Sequence, residues 1–255
     1  MAGPRRVRLD RLLVDRGLAP SRERAQRLIL AGGVLVDDRP VTKAGATVGP
    51  EAAIRLREAP SPYVSRGGEK LAGALDAFGV ALSERVVLDV GASTGGFTDV
   101  ALRRGARRVY ALDVGYGQLA WSLRQDPRVT VLDRTNARHL DPAHLDEPPD
   151  VAVIDVSFIS LTLVLPTVAA VLTPGAAIVA LVKPQFELAR DQIGKGGVVR
   201  DDTLRAAAVT RVRHAAEQLG LTVTGEADSV LPGPKGNREV FLHMTKPAQT
   251  PKAEG

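Results

Sequence analysis

The stretch Leu88-Asp-Val-Gly-Ala-Ser-Thr-Gly-Gly-Phe-Thr-Asp99 sets an acid, Asp89, just before Gly91 and a glycine pair, Gly95 and Gly96, shortly after it. Glycines there let backbone come close to a ligand, and the helix expected to follow offers its unpaired N–H groups. A dinucleotide turn needs Gly-x-Gly-x-x-Gly, whereas this one has three residues between Gly91 and Gly95, so it suits a pyrophosphate poorly. Asp89 fits better the cationic amino-acid end of a ligand, with Ser93 and Phe97 counted among the turn's contacts. Asp113, closing the segment YALDV, stands where an acid accepts both ribose hydroxyls of an adenosine. Asp133, after VTVL, is placed to meet the adenine edge, and Asn136 lies close by.

A second set of residues has the chemistry to move a proton: Lys70 at a helix start, Asp155 and Lys183 at strand ends, and Glu239 opening the last strand. A lysine serves as a base only if its pKa is lowered; a second ammonium nearby favours the neutral form, and carboxylates hold the pair in place. On that reading Lys183 is the base, Asp155 and Lys70 orient it and the reacting hydroxyl, and Glu239 anchors Lys70 or the substrate ribose. Residue types alone equally allow four unrelated surface charges.

Positioning these side chains takes alternating strands and helices. From Tyr63 onward the pattern predicts a helix over 69–78, strand VVLDV, a helix over 97–104, strand RVYALDV, a helix over 119–124, and strands VTVLD and VAVIDV. An apolar helix, strand AAIVALV, a long helix over 203–219 and final strands near 221–231 and 239–244 complete it. Alternation of this length specifies an α/β doubly wound parallel sheet, and two last strands with no helix between them predict a terminal antiparallel pair. Apolar residues at 44% and charged residues at 25% of 255 suit a globular chain with a real core. The uncharged run over 159–182 is long enough to span a bilayer, but Pro166, Pro174 and Gly175 interrupt it. A helix ending near Thr173 and a buried strand over 177–182 explain the same residues, so no membrane partner is expected. The N-terminus carries no apolar secretory segment, and the cytoplasm is the expected location.

That ending, the glycine turn and the acids on successive strands together resemble the S-adenosylmethionine site of class I methyltransferases. The resemblance implies a Rossmann-like sheet of that class and S-adenosyl-L-methionine as cofactor. Inventory then narrows the acceptor. The chain has no cysteine, which excludes disulfides, thiolate metal sites and a thiolate attack on a pyrimidine ring. The strand end Ile154-Asp-Val-Ser-Phe158 lacks the Asn/Asp-Pro-Pro-aromatic motif of amino-methylating enzymes, so oxygen remains as the acceptor. A ribose 2'-hydroxyl is a poor nucleophile, which makes orientation and proton removal the enzyme's tasks. The 4 histidines are scattered without ligand spacing, and no metal is expected.

The net charge is +5, and all of it lies in the first quarter: residues 1–60 hold 12 Lys+Arg against 7 Asp+Glu, while the rest balance. This quarter predicts a short helix around Leu9, Leu12 and Leu13 stopping at Gly17, then a helix capped by Ser21 and ended by Gly32-Gly33. VLVDD, a turn at Asp38-Arg39, PVTKAGATV and AAIRL predict a small sheet. Arg22, Arg24 and Arg27 on the second helix match phosphate oxygens, against the plainer reading of a solvated basic face. The run RLDRLLVDRGLAPSRERAQRLILAGGVLVDDRPV resembles the RNA-binding module named after the fourth small-subunit ribosomal protein, which implies an α+β domain that binds structured RNA through the Arg22–Arg27 helix. Ala59-Pro-Ser-Pro62 reads as a stiff linker.

Ser65-Arg-Gly-Gly-Glu-Lys70, Asp155-Val-Ser-Phe-Ile-Ser-Leu161, Leu181-Val-Lys-Pro-Gln-Phe186 and Gly236-Asn-Arg-Glu239 are similar to motifs of the TlyA family, hemolysin-A-named enzymes with an FtsJ-like domain. The resemblance spans nearly the whole chain. It implies 2'-O-methylation of cytidine in ribosomal RNA, a Lys70-Asp155-Lys183-Glu239 catalytic tetrad, Arg66 among the RNA contacts, and ribosomal RNA or subunits as partner with no protein partner required. It departs in the linker, where some members have Arg-x-Trp-Val and this chain has Ser61-Pro-Tyr-Val64. The expected organisation is an RNA-binding domain over 1–59, a linker over 60–64, the methyltransferase domain over 65–245 and a loose tail over 246–255. Two other classes fit parts of the sequence: an RNA-binding ribosome assembly factor whose methyl transfer is dispensable, and a lytic protein, which needs an amphipathic or spanning segment. Lys195, Arg200, Lys235 and Arg238, in glycine-rich stretches near the tetrad, are available to phosphate or simply surface residues.

Overall fold

The computed structural model describes residues 6–57, 61–194 and 196–248, and the chain divides into two compact units, 1–62 and 63–255. Ala59 and Pro60 of the expected linker, Lys195 and the tail beyond 248 lie outside the described residues.

In the first unit β1 (Val7–Arg8) pairs antiparallel with β4 (Thr47–Val48), and β2 (Val34–Val36) lies between β3 (Arg39–Pro40) and β5 (Ile54–Leu56). Helices α1 (Leu9–Asp15) and α2 (Arg22–Leu30) bury Leu9, Leu13, Ala25 and Ile29 against Val34 and Val36. Ser21 caps α2, its Oγ accepting from the Arg24 N–H at 3.2 Å. The hairpin turn falls on Asp37 and Asp38, with φ of 48° and 62°, one residue earlier than the sequence predicts. A two-residue connection needs left-handed backbone at both positions, and aspartate tolerates that better than arginine.

The second unit holds α3 (Arg66–Phe78), β6 (Val86–Val90), α4 (Gly96–Arg103), β7 (Arg108–Leu112), α5 (Trp121–Arg124), β8 (Val129–Leu132) and β9 (Val151–Ile154). It continues with α6 (Leu165–Val171), β10 (Ala177–Val182), α7 (Pro184–Glu187), α8 (Asp202–Gln218), β11 (Thr222–Asp228) and β12 (Val240–Thr245). Seven strands run in the order β11-β12-β10-β9-β6-β7-β8, parallel except for β12, which is antiparallel to both neighbours. The sequence predicts the antiparallel pair; the structure adds that β12 slots inside β11, against β10.

Both faces of this sheet are covered, as its unbroken apolar runs require. In β6, Val86, Leu88 and Val90 face α6 and α8, while Val87 faces α3 and α4. On α3 the spacing of Leu71, Ala74 and Leu75 makes one buried stripe, and the same face carries Lys70 inward. Helix α3 begins at Arg66, three residues before the sequence predicts, because its start packs against the start of α4. A Cβ on Gly96 would lie 2.2 Å from the Ser65 Oγ and 2.9 Å from the Gly68 nitrogen, so only glycine admits this contact.

The uncharged run folds as a one-turn helix Leu161–Leu163, then α6 and β10. No helix among the described residues is long and apolar enough to cross a membrane. Lys246, assigned by the sequence to the loose tail, is instead tied down, donating to the carbonyls of Ala169 and Leu172 at 2.8 and 2.6 Å. Strand order reverses at β6, with β7 and β8 on one side and β9 and β10 on the other, and ligands of such sheets bind beyond the strand ends at that point.

Candidate active site

At the carboxyl ends of β6, β7 and β9 lies a cavity of about 440 Å³ lined by Gly91, Ser93, Asp113, Asn136 and Asp155, with Phe158 at its edge. Gly91 has φ of 86°, and a Cβ there would sit 2.4 Å from the Asp155 carbonyl oxygen, so the turn closes only with glycine. The Asp113 carboxylate accepts from the Ser93 N–H at 2.8 Å and the Gly115 N–H at 2.7 Å, which fixes it at the cavity wall. Asn136 caps the turn Ala137–His139, its Oδ1 accepting from the Arg138 N–H at 3.0 Å.

Asp89 does not line the cavity, although its neighbours Val90 and Gly91 do, and it is fully buried; one carboxylate oxygen accepts from the Thr98 hydroxyl at 2.6 Å and the other has no partner among the described residues. Burial pushes its pKa up to about 7, against the Thr98 hydrogen bond, with the negative charges of Asp155 and Asp113 adding to the rise. An unpaired buried carboxylate oxygen, a glycine wall and a second, rigidly held carboxylate suit a ligand with a cationic amino-acid end and a ribose diol. These residues therefore fit S-adenosylmethionine.

Other expected cofactor contacts lie elsewhere. Phe97 is a core residue, 6.2 Å from the Phe241 ring centre, because the first turn of α4 faces the sheet. Gly95 and Gly96 shape that helix start, under Leu119 and Leu123 and against Ser65, without lining the cavity. Asp133 also stands off the cavity: Arg124 donates to it at 2.6 Å and the Gly117 N–H at 3.3 Å, and these bonds outweigh burial and hold its pKa down. Both bonds fall on Oδ2.

The four proton-transfer candidates do come together, as two ion pairs. Lys183 Nζ lies 2.5 Å from Asp155 Oδ1, and Lys70 Nζ lies 2.5 Å from Glu239 Oε2. Register explains the meeting: Val182 pairs with Val240, so Lys183 and Glu239 leave adjacent strands side by side, while Ile154 pairs with Ala180 and sends Asp155 out one strand over. Lys70, Lys183 and Glu239 are all at least nine-tenths buried, unlike solvated surface charges. Among the described residues no hydrogen bond or ion pair joins one pair to the other. The second oxygen of Glu239 is buried without a partner, and a Cβ on Gly233 would collide with it, so the carboxylate is pressed against bare backbone.

Sequence reasoning did not single out Ser157, whose Oγ accepts from Lys183 Nζ at 2.8 Å, or Phe158, 92% exposed at φ of 66°. Only their place inside the motif DVSF hinted at either. Both line the first cavity and a second of about 320 Å³, which Lys183, Phe186 and Asn237 also line. The base candidate thus stands where the two cavities adjoin. Lys235 and Asn237 hold the glycine-rich loop by donating to the carbonyls of Gly196 and Gly197, and Arg238 pairs with Asp202 at 3.1 Å.

In the first unit, Arg22 is 3.2 Å from Asp10 and Arg27 is 3.4 Å from Glu23, while Arg24 is half-buried. The arginine face is therefore interleaved with acids, which a count of charges does not reveal. Arg66 is exposed in the first turn of α3. No cluster among the described residues has the make-up to hold a metal ion.

The FtsJ-like methyltransferase family model matches residues 63–246, and the S4 domain model matches residues 7–54. The chain is 52% identical over 241 residues to the 16S/23S rRNA (cytidine-2'-O)-methyltransferase TlyA of Mycobacterium tuberculosis, covering 94% of this chain and 90% of that protein. It is 46% identical over 246 residues to a Bacillus subtilis protein named as an rRNA methyltransferase, YqxC, covering 96% of this chain and 88% of that one. A solved structure of a hemolysin-named protein from Streptococcus thermophilus superposes with a TM-score of 0.76 at 41% identity, covering 96% and 90% of the two chains.

Proposed function

This chain belongs to the TlyA family of FtsJ-like methyltransferases and carries an S4 domain, and from that premise we propose that it methylates the 2'-oxygen of a cytidine ribose in ribosomal RNA, using S-adenosyl-L-methionine. The observation that carries the reading is the pair of buried ion pairs at the carboxyl edge of the sheet, one member of which, Asp155, also walls the cofactor cavity. When bound, the cofactor supplies an electrophilic methyl group with its own leaving group, so the chain has to hold, orient and deprotonate.

Asp89 and Asp113 hold the two polar ends of the cofactor, and the Gly91 turn admits it. Lys183 Nζ, as the neutral amine, would take the proton of the 2'-hydroxyl, while the bound cofactor would supply the methyl group and its sulfur would keep the electron pair of the broken carbon–sulfur bond. Asp155 and Ser157 fix Nζ in place. Glu239 holds Lys70 near the carboxyl edge of the sheet, and the role that fits its ammonium is to orient the hydroxyl and steady the oxygen's developing charge. Arg22, Arg24, Arg27 and Arg66 supply phosphate contacts, which makes RNA affinity fall with added salt. Assembled ribosomal subunits in the cytoplasm are the partner and place this chemistry implies.

The test is transfer of labelled methyl from S-adenosylmethionine to unmodified ribosomal subunits, wild type beside Lys183→Ala, with mass spectrometry locating the modified ribose. Label on a cytidine 2'-oxygen that drops by roughly 100-fold or more in the variant fits loss of a general base. Full transfer by the variant removes Lys183 from the mechanism, and no transfer by wild type to any subunit, despite cofactor binding, points to a binding role in assembly.

A further inference from the structure

Glu187 closes α7, the single helical turn that Lys183 opens, and its side chain turns inward to 3% exposure. One carboxylate oxygen accepts from the Leu161 N–H at 2.8 Å and the other from the Ser160 hydroxyl at 2.5 Å. Burial raises its pKa, against those two bonds, so the site keeps this acid at a cost that hydrogen bonding offsets. Both partners lie at the far end of the loop that begins with Asp155. In between, Ser157 and Phe158 are exposed, and Phe158 holds a left-handed backbone conformation that a bulky residue rarely adopts. Val156 and Ile159 pack against the core and the Phe158 ring lies 5.2 Å from that of Phe186, and polar ties at the loop's two ends add to these apolar contacts. At one end is the ion pair of Asp155 with Lys183, and at the other the bonds to Glu187.

We propose that Glu187 is a positioning residue for methyl transfer: by clasping Ser160 and Leu161 it holds the Asp155–Ser160 loop against the same helical turn that carries Lys183, and so sets Asp155 and Ser157 around the Lys183 ammonium. The catalytic part of this statement rests on the proposed methyl-transfer reading, while the clasp itself does not. One turn of helix separates Lys183 from Glu187, so the base and the clasp move together. Without the carboxylate, the Ser160–Leu161 end keeps its apolar packing but loses these hydrogen bonds to the turn that carries Lys183, and a strained residue in the loop's middle gains room to relax. Small displacements of a group around a reacting centre are costly to rate even when binding survives.

Two readouts on the full chain separate this role from plain stability. The first is acetic anhydride labelling with peptide mass spectrometry, which compares Lys183 with Lys70 in the same molecule. In Glu187→Ala, labelling of Lys183 rises roughly fivefold while that of Lys70 holds, since only the first pair depends on the loop. Glu187→Gln labels at the wild-type rate, because its amide oxygen still accepts from Leu161 and its amide nitrogen donates to Ser160. Ser160→Ala, which removes one arm only, falls between. The second readout is steady-state kinetics: kcat drops roughly 100-fold in Glu187→Ala with KM for cofactor and RNA unchanged, and Glu187→Gln restores it. Equal labelling of Lys183 in wild type and Glu187→Ala, or a glutamine variant as impaired as alanine, overturns the proposal. If wild type transfers no methyl group, the methyl-transfer reading falls and the labelling result still decides the clasp.

Discussion

Asp10 in the first unit and Asp89 in the second are both fully removed from solvent, one at the start of α1 and the other inside β6, and their surroundings treat the same carboxylate in opposite ways. Asp10 accepts from Arg8 twice, from Arg22, from Gln26 and from the Arg11 N–H. The Arg8 guanidinium above all, then Gln26 and Arg22, hold its carboxyl well below the usual carboxylate range in spite of burial. Asp89 has one hydroxyl and an unpaired oxygen, and burial lifts it to about 7. A buried acid whose donors come from its own fold is structural; one left short of donors beside a cavity is waiting for a ligand to supply them.

The largest test of that contrast is Asp89→Asn, which weakens S-adenosylmethionine binding by roughly tenfold or more, about 1.4 kcal/mol, in calorimetric titration. The same variant melts at a higher temperature than wild type at pH 8 without cofactor, because it no longer charges a buried group. If affinity holds, Asp89 is no different in kind from Asp10.

Next in size, Asp10→Ala strips four side-chain bonds from three residues and costs about 1 kcal/mol in denaturant unfolding of the first unit, with weaker RNA binding and unchanged cofactor affinity. Loss of cofactor affinity in that variant would break the division of labour.

The two acids also give opposite pH dependences. Asp89 has a raised folded pKa, so between about 4 and 7 the unfolded chain releases a proton that the fold retains, and stability falls as pH rises through that window. Cofactor affinity moves the other way, rising as Asp89 ionises near pH 7. Asp10 has a depressed folded pKa, so its contribution is present above its ordinary range and is lost on acidification. Melting curves of wild type, Asp10→Ala and Asp89→Asn over pH 2–8 check both signs: the first variant's deficit shrinks below about pH 4, and the second's gain grows between about pH 4 and 7. The smallest effect is Arg22→Ala, which leaves Asp10 its Arg8 and Gln26 donors and costs about 0.5 kcal/mol.

The elements were the most legible part. Strand-helix alternation, the Ser21 cap and the proline-broken apolar run all have local causes, and the structure places them within a few residues of expectation. Helix α3 starts three residues earlier than the pattern predicts, where Gly67 and Gly68 serve a close approach to Gly96. Among the site residues, Gly91, Ser93, Asp113 and Asn136 line the cavity as strand-end positions suggest. Asp133 and Phe97 do not, because which side a side chain turns to depends on partners: Arg124, on the helix before β8, and Phe241, far along the chain. Glu187 left no signal and Ser157 only its place in DVSF, since their contacts are a single hydrogen bond or two across loops.

What the sequence determined by itself is the periodic and the local: two units, an alternating sheet, a glycine turn ready for a ligand, and the absence of any thiol. These follow from side-chain spacing and backbone freedom, which act over a few residues. Tertiary structure alone decided which charges meet. Lys70 and Glu239 are 169 residues apart, and only the insertion of β12 beside β10 brings them to one edge. Likewise Asp10 and Asp89 are the same residue type in the sequence, and only the donors that folding gathers around each leave one fully paired and the other with an unpaired oxygen.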